Sequence, residues 1–354
     1  VLTLNNPGTV DKFKISWTSD NILSALVLGG DLVCNNATAD AFELVGSSIV
    51  SRPMVRSSVY GTPRHIHANT TDITKACDWH DIHFDPHTVD LSGIASGDCG
   101  GNSGITFRTA ANRYVTTLTA ARAWTDNIWS AADDGSADGT SVFPLPQDTV
   151  HITNSSGDNT NKALTVTNSH RVGGITAAAG VLTETAQVSF GTLTIYGDID
   201  LSATTLTPTG PGTNVTFDPR VRQERATTAQ TVNIYNTVGS TCGFIVGAYA
   251  GQAGTVKLLT NNLTTGGQVT LTYGALDLGG KTLSVTIWSS TGTTTRELKD
   301  SVGGGTIICR GVTGTIFNQA TKTNLTVSNA PSIQIGTSGT EETLTGNITL
   351  AFGT

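Results

Sequence analysis

Histidine and aspartate are concentrated in residues 64–90, where five of the seven histidines of the chain occur. His65 and His67 are two residues apart in a β-like run, so their side chains should point to the same face of a strand. Together with His80 and His83 they form a candidate site for a transition metal, because imidazole is a common ligand for such ions. The alternative is a polar strand–turn–strand segment whose histidines are exposed or hydrogen-bonded. The sequence contains no HExxH pattern, and this absence favours the alternative over the metal site.

A second set of reactive groups lies in the sequence FDPRVRQER, the most charged segment of the C-terminal half. Asp218 and Glu224 are a candidate carboxylate pair of the kind that a glycosidase uses, flanked by Arg220, Arg222 and Arg225. Such a segment would face an acidic glycan. The competing interpretation is a solvated loop with local ion pairs, or a contact between subunits.

Two tryptophans, Trp124 and Trp129, lie five residues apart in a segment that is followed by an Asp- and Gly-rich loop and two prolines. Aromatic rings of this kind stack on the apolar faces of sugars, which makes the pair a candidate glycan-binding platform. They would serve equally well to plug the end of a hydrophobic core, and that is the interpretation we prefer.

Cofactor chemistry is not indicated. The five cysteines are widely spaced without a CxxC pair, so we expect free thiols that are buried as small hydrophobic groups, as in a protein assembled in a reducing cytoplasm. The Gly-rich turn at 98–107 enters a strand, whereas phosphate loops enter a helix. The segment ending in Lys281-Thr282 resembles a Walker A loop, but its eight-residue window begins with Ala275 and not with glycine.

The elements that must position these residues are β-strands. Residues 255–287 contain three short runs of β-formers, Val256–Leu259, Val269–Tyr273 and Thr282–Ile287, separated by Asn, Thr and Gly clusters. Within the runs apolar residues alternate with polar ones, which is typical of strands. The pattern of strand and polar turn recurs to the C-terminus without helical stretches. This recurrence predicts an all-β repeat architecture in which each repeat buries its inner face against its neighbours.

The composition supports an extended β surface coated with small polar side chains. Charged residues are 13% of the chain, aromatic residues are 6%, and 40 of the 354 residues are glycine. The formal net charge of −7 argues against a nucleic-acid partner, which needs a basic stripe. No apolar stretch approaches the ~20 residues of a membrane helix. The chain begins with Val1, from which we expect a processed protein or a fragment.

Three motifs taken in order carry a resemblance to a known group of proteins. They are DCGGNSGITF (98–107), the paired-tryptophan segment with its downstream Pro-x-Gln-Asp-x-Val (144–150), and LTYGALDLGGKTLSV (271–285). From residue 64 to its end the chain resembles β-helical virion and tail-fibre-like proteins of bacteriophages. The resemblance implies an elongated right-handed parallel β-helix, exposed on the virion and often trimeric. It implies no catalytic residues.

These observations predict four segments along the chain: an N-terminal β module or cap at 1–63, first β-helix rungs at 64–118, a Trp- and Pro-containing loop insertion at 119–148, and a repetitive β-helix body at 149–354. The boundary near residue 148 rests on the change in composition there.

The function that we expect is that of a non-enzymatic virion structural protein, similar to a tail fibre or tailspike, which gives reach and binds host-surface glycan. Its partners would be further copies of itself in a homotrimer and other virion proteins. The first alternative is a tailspike-type polysaccharide depolymerase or lyase, since fold alone does not decide activity. The second is a bacterial β-helical adhesin or surface filament.

Overall fold

The structure is a computed structural model of the chain. It describes residues 1–17, 24–37, 40–46, 48, 50–116, 122–153, 163–166, 170–177, 187–189, 193–201, 214–217, 229–234, 243–247, 254–311, 314–319, 321, 323–336 and 348–352. The described residues form short β-strands joined by turns, with one 3-10 turn at Thr140–Val142 and no α-helix. The expectation of an all-β protein is confirmed.

Fourteen strands make up the N-terminal strand set. They are β1 (Leu2–Leu4), β2 (Gly8–Val10), β3 (Phe13–Ser16), β4 (Ala25–Leu28), β5 (Leu32–Cys34), β6 (Phe42–Val45), β7 (Met54–Ser57), β8 (Arg64–Ala68), β9 (Thr71–Ile73), β10 (Asp78–His80), β11 (Ile82–Pro86), β12 (Val89–Asp90), β13 (Gly97–Asp98) and β14 (Ile105–Thr106).

Within this set, each of β1–β8 pairs in parallel with the strand three elements further along the chain. The sheets are therefore ordered β1-β4-β7-β10-β13, β2-β5-β8-β11 and β3-β6-β9, with a small pair β12-β14. Parallel neighbours need a crossover connection, and here the crossover consists of the two intervening strands. The arrangement is compatible with a chain that coils, with three strands to each turn of the coil.

Twenty-five further strands make up the C-terminal strand set. They are β15 (Asn112–Val115), β16 (Arg122–Ala123), β17 (Trp129–Ser130), β18 (Thr149–Ile152), β19 (Ala163–Thr165), β20 (His170–Val172), β21 (Gly174–Ala177), β22 (Gln187–Ser189), β23 (Leu193–Ile195), β24 (Ile199–Leu201), β25 (Asn214–Phe217), β26 (Ala229–Ile234), β27 (Gly243–Val246), β28 (Thr255–Leu258), β29 (Leu263–Thr264), β30 (Gln268–Leu271), β31 (Gly274–Asp277), β32 (Thr282–Val285), β33 (Ile287–Ser289), β34 (Arg296–Lys299), β35 (Thr306–Cys309), β36 (Gly314–Gln319), β37 (Leu325–Ser328), β38 (Ser332–Ile335) and β39 (Ile348–Phe352).

Parallel pairing continues through the C-terminal strand set, mostly with the strand three elements further along the chain. Four pairs, β23-β25, β24-β26, β25-β27 and β26-β28, join strands that are two elements apart. One ten-stranded sheet runs β17-β15-β18-β21-β24-β26-β28-β31-β34-β37, and an eight-stranded sheet runs β20-β23-β25-β27-β30-β33-β36-β39. Two shorter sheets run β16-β19-β22 and β29-β32-β35-β38. Among the described strand pairs, only β15 with β17 is antiparallel.

Inward-facing apolar residues fill each strand set. In β30 Val269 and Leu271 are buried whereas Gln268 is exposed, as the period-2 alternation predicts. One buried cluster extends from Leu26 to Leu91 and a second from Val115 to Phe317. Each strand set therefore has its own hydrophobic core.

The strands before residue 63 do not form a separate sheet. Strands β5 and β7 of this region pair in parallel with β8 and β10, which lie beyond it. The predicted division of the chain into four segments nevertheless stays a prediction. Four of the five cysteines lie in the described part of the chain, and all four are free and buried, which confirms that expectation for Cys34, Cys77, Cys99 and Cys309.

A buried ionic network joins the two strand sets. Asp78 of β10 accepts hydrogen bonds from Arg52 (Nε to Oδ1, 2.6 Å) and from Arg171 of β20 (Nη1 to Oδ2, 2.9 Å). The three side chains are 1%, 2% and 9% exposed respectively. Met54 and Cys99 pack beside this network with Tyr196. The two sets are thus held against each other by groups that are removed from water.

Candidate functional site

Local sequence places four polar side chains on the outer face of two neighbouring strands. In β8 the buried Ile66 alternates with His65 and His67, and in β11 the buried Phe84 alternates with His83 and Asp85. Because alternate residues of a strand point to opposite faces, burial of the apolar residues forces the polar ones outward. The four outer residues therefore share one surface.

Parallel register then brings these residues together in pairs. His65 lies opposite His83, and His67 lies opposite Asp85. The His65 Nδ1 atom is 2.7 Å from Asp85 Oδ2, His67 Nδ1 is hydrogen-bonded to Asp85 Oδ1, and His83 Nε2 is 3.8 Å from Asp85 Oδ2. The rings of His65 and His83 meet edge to face with their centroids 4.6 Å apart. We call these four residues the histidine–aspartate cluster.

The cluster is open to solvent, and its histidines share one carboxylate, that of Asp85. The side chains of His65 and His67 are almost half exposed, and Asp85 is 28% exposed. Burial opposes ionisation of Asp85, but hydrogen bonds from the two histidines outweigh this effect and lower the pKa of its carboxyl group. Imidazole nitrogens converging on a carboxylate form a donor set that suits late divalent transition metals.

The predicted set of four histidines is divided by the structure. His65, His67 and His83 come together, whereas His80 is buried in another sheet, beside Asp81 and the ring of Tyr60. The chain turns between β10 and β11 at Asp81, whose φ of 56° takes the backbone out of the strand conformation. His80 therefore does not belong to the cluster, and Asp85 takes its place. Only the pairing of β8 with β11 identifies Asp85, and single-sequence patterns do not reveal that pairing.

A groove with polar and apolar lining lies on the ten-stranded sheet of the C-terminal strand set. It has a volume of about 710 Å³ and follows the turns and first residues of four successive strands, β28, β31, β34 and β37. Its lining includes Thr255, Tyr273, Thr294, Glu297, Asn324 and Thr326. Hydroxyl, amide, carboxylate and aromatic groups thus face a single depression that runs across neighbouring strands of the sheet.

A small residue contributes to the depth of this groove. Ala275 of β31 pairs with Thr255 of β28 and with Glu297 of β34, which both have larger side chains, so the sheet surface is lower at Ala275. The turn before β34 is held from below by the buried Arg296, which donates hydrogen bonds to the carbonyl oxygens of Thr294 and Thr323. Burial lowers the pKa of the Arg296 guanidinium. The shape of the groove is therefore fixed by backbone contacts as well as by its surface residues.

The paired tryptophans lie in the core of the C-terminal strand set. Trp124 and Trp129 are each 1% exposed, their rings meet edge to face at 4.7 Å, and Trp129 Nε1 donates a hydrogen bond to the carbonyl oxygen of Trp124. Phe143 and His170 pack against the same rings. This arrangement corresponds to the core plug. It covers the faces that a sugar would need, so the glycan-platform alternative does not fit the structure.

The candidate carboxylates Asp218 and Glu224 lie outside the described residues, together with the arginines beside them, so the hypothesis that they form a catalytic pair stays a prediction.

The Gly-rich turn at 98–107 is described, and it is a packing feature. At Gly104 φ is 66°, and a Cβ atom there would lie 2.0 Å from the carbonyl oxygen of Phe84. The backbone of β11 therefore occupies the space above this glycine.

Comparison with protein-family models, with curated proteins and with solved structures finds no match to this chain. Among the described residues, no helix has the length and apolar character that crossing a membrane requires.

Proposed function

We propose that the two strand sets belong to a right-handed parallel β-helix. Three observations support this architecture: strand n generally pairs with strand n+3 in the N-terminal strand set, the same sheets continue through many successive strands, and inward-facing residues form a core along each set. Parallel crossovers within one sheet are right-handed in ≈ 98% of cases, which gives the handedness. A body of this kind is stiff because each turn of the coil is bonded to its neighbours.

We propose further that the protein is a non-enzymatic virion structural protein, similar to a bacteriophage tail fibre or tailspike, that binds host-surface glycan and assembles as a homotrimer. The motif resemblance at 98–107, 144–150 and 271–285 supports the class. The low charge and the many small polar side chains suit an exposed rod.

The groove over β28, β31, β34 and β37 is the observation on which glycan binding depends. It is elongated across successive strands, and neighbouring strands are ~4.8 Å apart, so a bound chain would contact several turns of the coil. Tyr273 offers an aromatic ring to a sugar face, and Glu297 with Thr326 and Asn324 offers hydrogen-bonding groups. Of the described lining residues, Glu297 alone carries a carboxylate, whereas glycoside hydrolysis generally uses two.

The test is a glycan array probed with the full chain, followed by titration of the best glycan into variants of Tyr273. Loss of one stacking ring should weaken binding by about tenfold, from ~0.5–1.5 kcal/mol for the aromatic contact plus the buried area. Tyr273→Phe should retain most of the affinity. Tyr114→Ala is the matched control, because Tyr114 lies in the same sheet, far from the groove, and stacks on His151.

Other outcomes would assign a different function. Shortened glycan products released during incubation would indicate the depolymerase or lyase alternative and would direct attention to Asp218 and Glu224. An array without any binding would contradict the glycan role. Recovery of the chain from bacterial surfaces and not from purified phage particles would support the adhesin alternative.

A further inference from the structure

We propose that His65, His83 and Asp85 bind one divalent transition-metal ion, of which zinc is the representative, on the outer face of the sheet formed by β8 and β11. His67 and Ser103 orient the ligands. The site is separate from the glycan groove, which lies in the C-terminal strand set, so each proposal can fail without the other.

The positions of the ligand atoms support this assignment. One nitrogen of His65, one nitrogen of His83 and one oxygen of Asp85 all lie within 4.8 Å of one another. Zinc–ligand distances of ~2.0–2.1 Å in tetrahedral geometry place neighbouring ligand atoms about 3.3 Å apart. The separations from Asp85 Oδ2 are 2.7 Å to His65 Nδ1 and 3.8 Å to His83 Nε2, on either side of that value. Small side-chain rotations therefore complete the geometry without backbone movement.

A second layer of hydrogen bonds holds the ligands in place. His83 Nδ1 lies 2.5 Å from the hydroxyl oxygen of Ser103, which leaves Nε2 directed towards Asp85. His67 Nδ1 binds Asp85 Oδ1, the carboxylate oxygen that is not shared with His65. Metal-binding histidines and carboxylates in proteins are commonly oriented by such outer partners.

The scaffold fixes these side chains on adjacent strands. Ile66 and Phe84 anchor the inner faces of β8 and β11, at 0% and 2% exposure. Neutral imidazole nitrogens suit zinc, copper or nickel, whereas calcium and magnesium prefer sites made of oxygen ligands. The partial exposure of the cluster gives an ion access and leaves room for water as a further ligand.

The consequence is a cross-link between β8 and β11. Binding requires the parallel register that sets His65 opposite His83, and this register exists only in the folded chain. An ion that binds the folded state alone stabilises it by mass action. The thermal midpoint should therefore rise with zinc concentration.

The test is calorimetric titration of zinc into the full chain after treatment with a chelator, with His83→Ala and Asp85→Asn as the ligand variants. Wild type should bind one ion per chain at this site, and each variant should weaken its Kd by at least about tenfold. His87→Ala is the matched control, because His87 is exposed just beyond β11 and lies outside the cluster. It should bind zinc as wild type does.

Two further measurements distinguish zinc bound by the ordered cluster from zinc bound nonspecifically by exposed histidines. Ser103→Ala should weaken zinc binding by about tenfold, because it removes the hydrogen bond that orients His83. The far-ultraviolet circular dichroism spectrum should not change. Cobalt added in place of zinc should give a visible absorption spectrum that His83→Ala alters and His87→Ala does not. Equal binding by wild type and both ligand variants, or no stoichiometric binding by wild type, would overturn the proposal.

Discussion

Replacement of Asp78 by asparagine should destabilise the protein more than any comparable change at its surface. Asp78 is the shared acceptor of Arg52 and Arg171, and all three side chains are almost fully removed from water. Asparagine has nearly the same shape but carries no charge. Its amide group can accept from one guanidinium but presents donors to the other.

The magnitude follows from the two bonds that are lost or weakened. Hydrogen bonds to charged groups contribute ~1.5–3 kcal/mol each, and breaking a buried ion pair by removing one partner costs ~3–5 kcal/mol. Because asparagine retains one acceptor, we expect a loss of about 3 kcal/mol in the free energy of unfolding. Arg52 keeps its bond to the carbonyl oxygen of Pro144, at 3.1 Å, which limits the loss further.

Urea unfolding followed by tryptophan fluorescence measures this loss, since Trp79 lies in the N-terminal core and Trp288 in the C-terminal core. Asp90→Asn is the control: Asp90 is exposed and accepts a hydrogen bond from the Ser92 backbone, so its replacement should change stability by no more than about 0.5 kcal/mol. A loss for Asp78→Asn as small as that of the control would refute the reasoning that the network joins the two strand sets.

Two further predictions concern the same contact. Gly97→Ala should lower the free energy of unfolding by ~1–3 kcal/mol, because its new methyl group would lie 2.2 Å from Asp78 Oδ1 and 2.4 Å from Pro146 Cδ. Gly93→Ala is the control and should be neutral, because its methyl group would meet nothing within 4 Å. Equal urea midpoints for the two variants would contradict this prediction. Burial, and then the charges of the neighbouring arginines, lower the pKa of His170 to about 3, so the unfolded chain binds a proton there between pH 6.5 and about 3 while the folded chain does not. Stability should therefore fall as the pH falls through this window, by about 2 kcal/mol at pH 5 from this group. His170→Phe should remove that part of the dependence, and an unchanged difference in unfolding free energy between pH 7 and pH 5 would count against it.

The strands of the C-terminal region are predictable because their pattern is local. Alternation places Val269 and Leu271 inside, where the structure has them. The same alternation predicts that the strand continues to Tyr273, but the strand ends at Leu271, and Gly274, with φ of 68°, begins the next one. Tyr273 consequently lies in the turn that lines the groove. A single glycine decides this, and the periodicity of the surrounding residues does not indicate it.

The candidate sites depend on contacts distant in sequence, which explains what the sequence could not show. The two histidines of β8 are recognisable from their spacing, but their partner Asp85 is supplied by the register of another strand. The composition predicts a loop insertion at 119–148, yet Phe143 and Leu145 from this segment are buried at 1% and 0% exposure. Phe143 lies under the guanidinium of Arg52, 5.2 Å from its carbon to the ring centroid, in the contact between the two strand sets.

We propose above all that a stiff β-helical body binds an intact glycan along its outer face. A crystal or cryo-microscopy structure of the full chain with its best array glycan tests this most directly. We predict an uncleaved sugar chain that crosses β28, β31 and β34, with one ring stacked on Tyr273 and a hydroxyl group bonded to Glu297. Sugar bound elsewhere, or a cleaved product beside a pair of carboxylates, would contradict it.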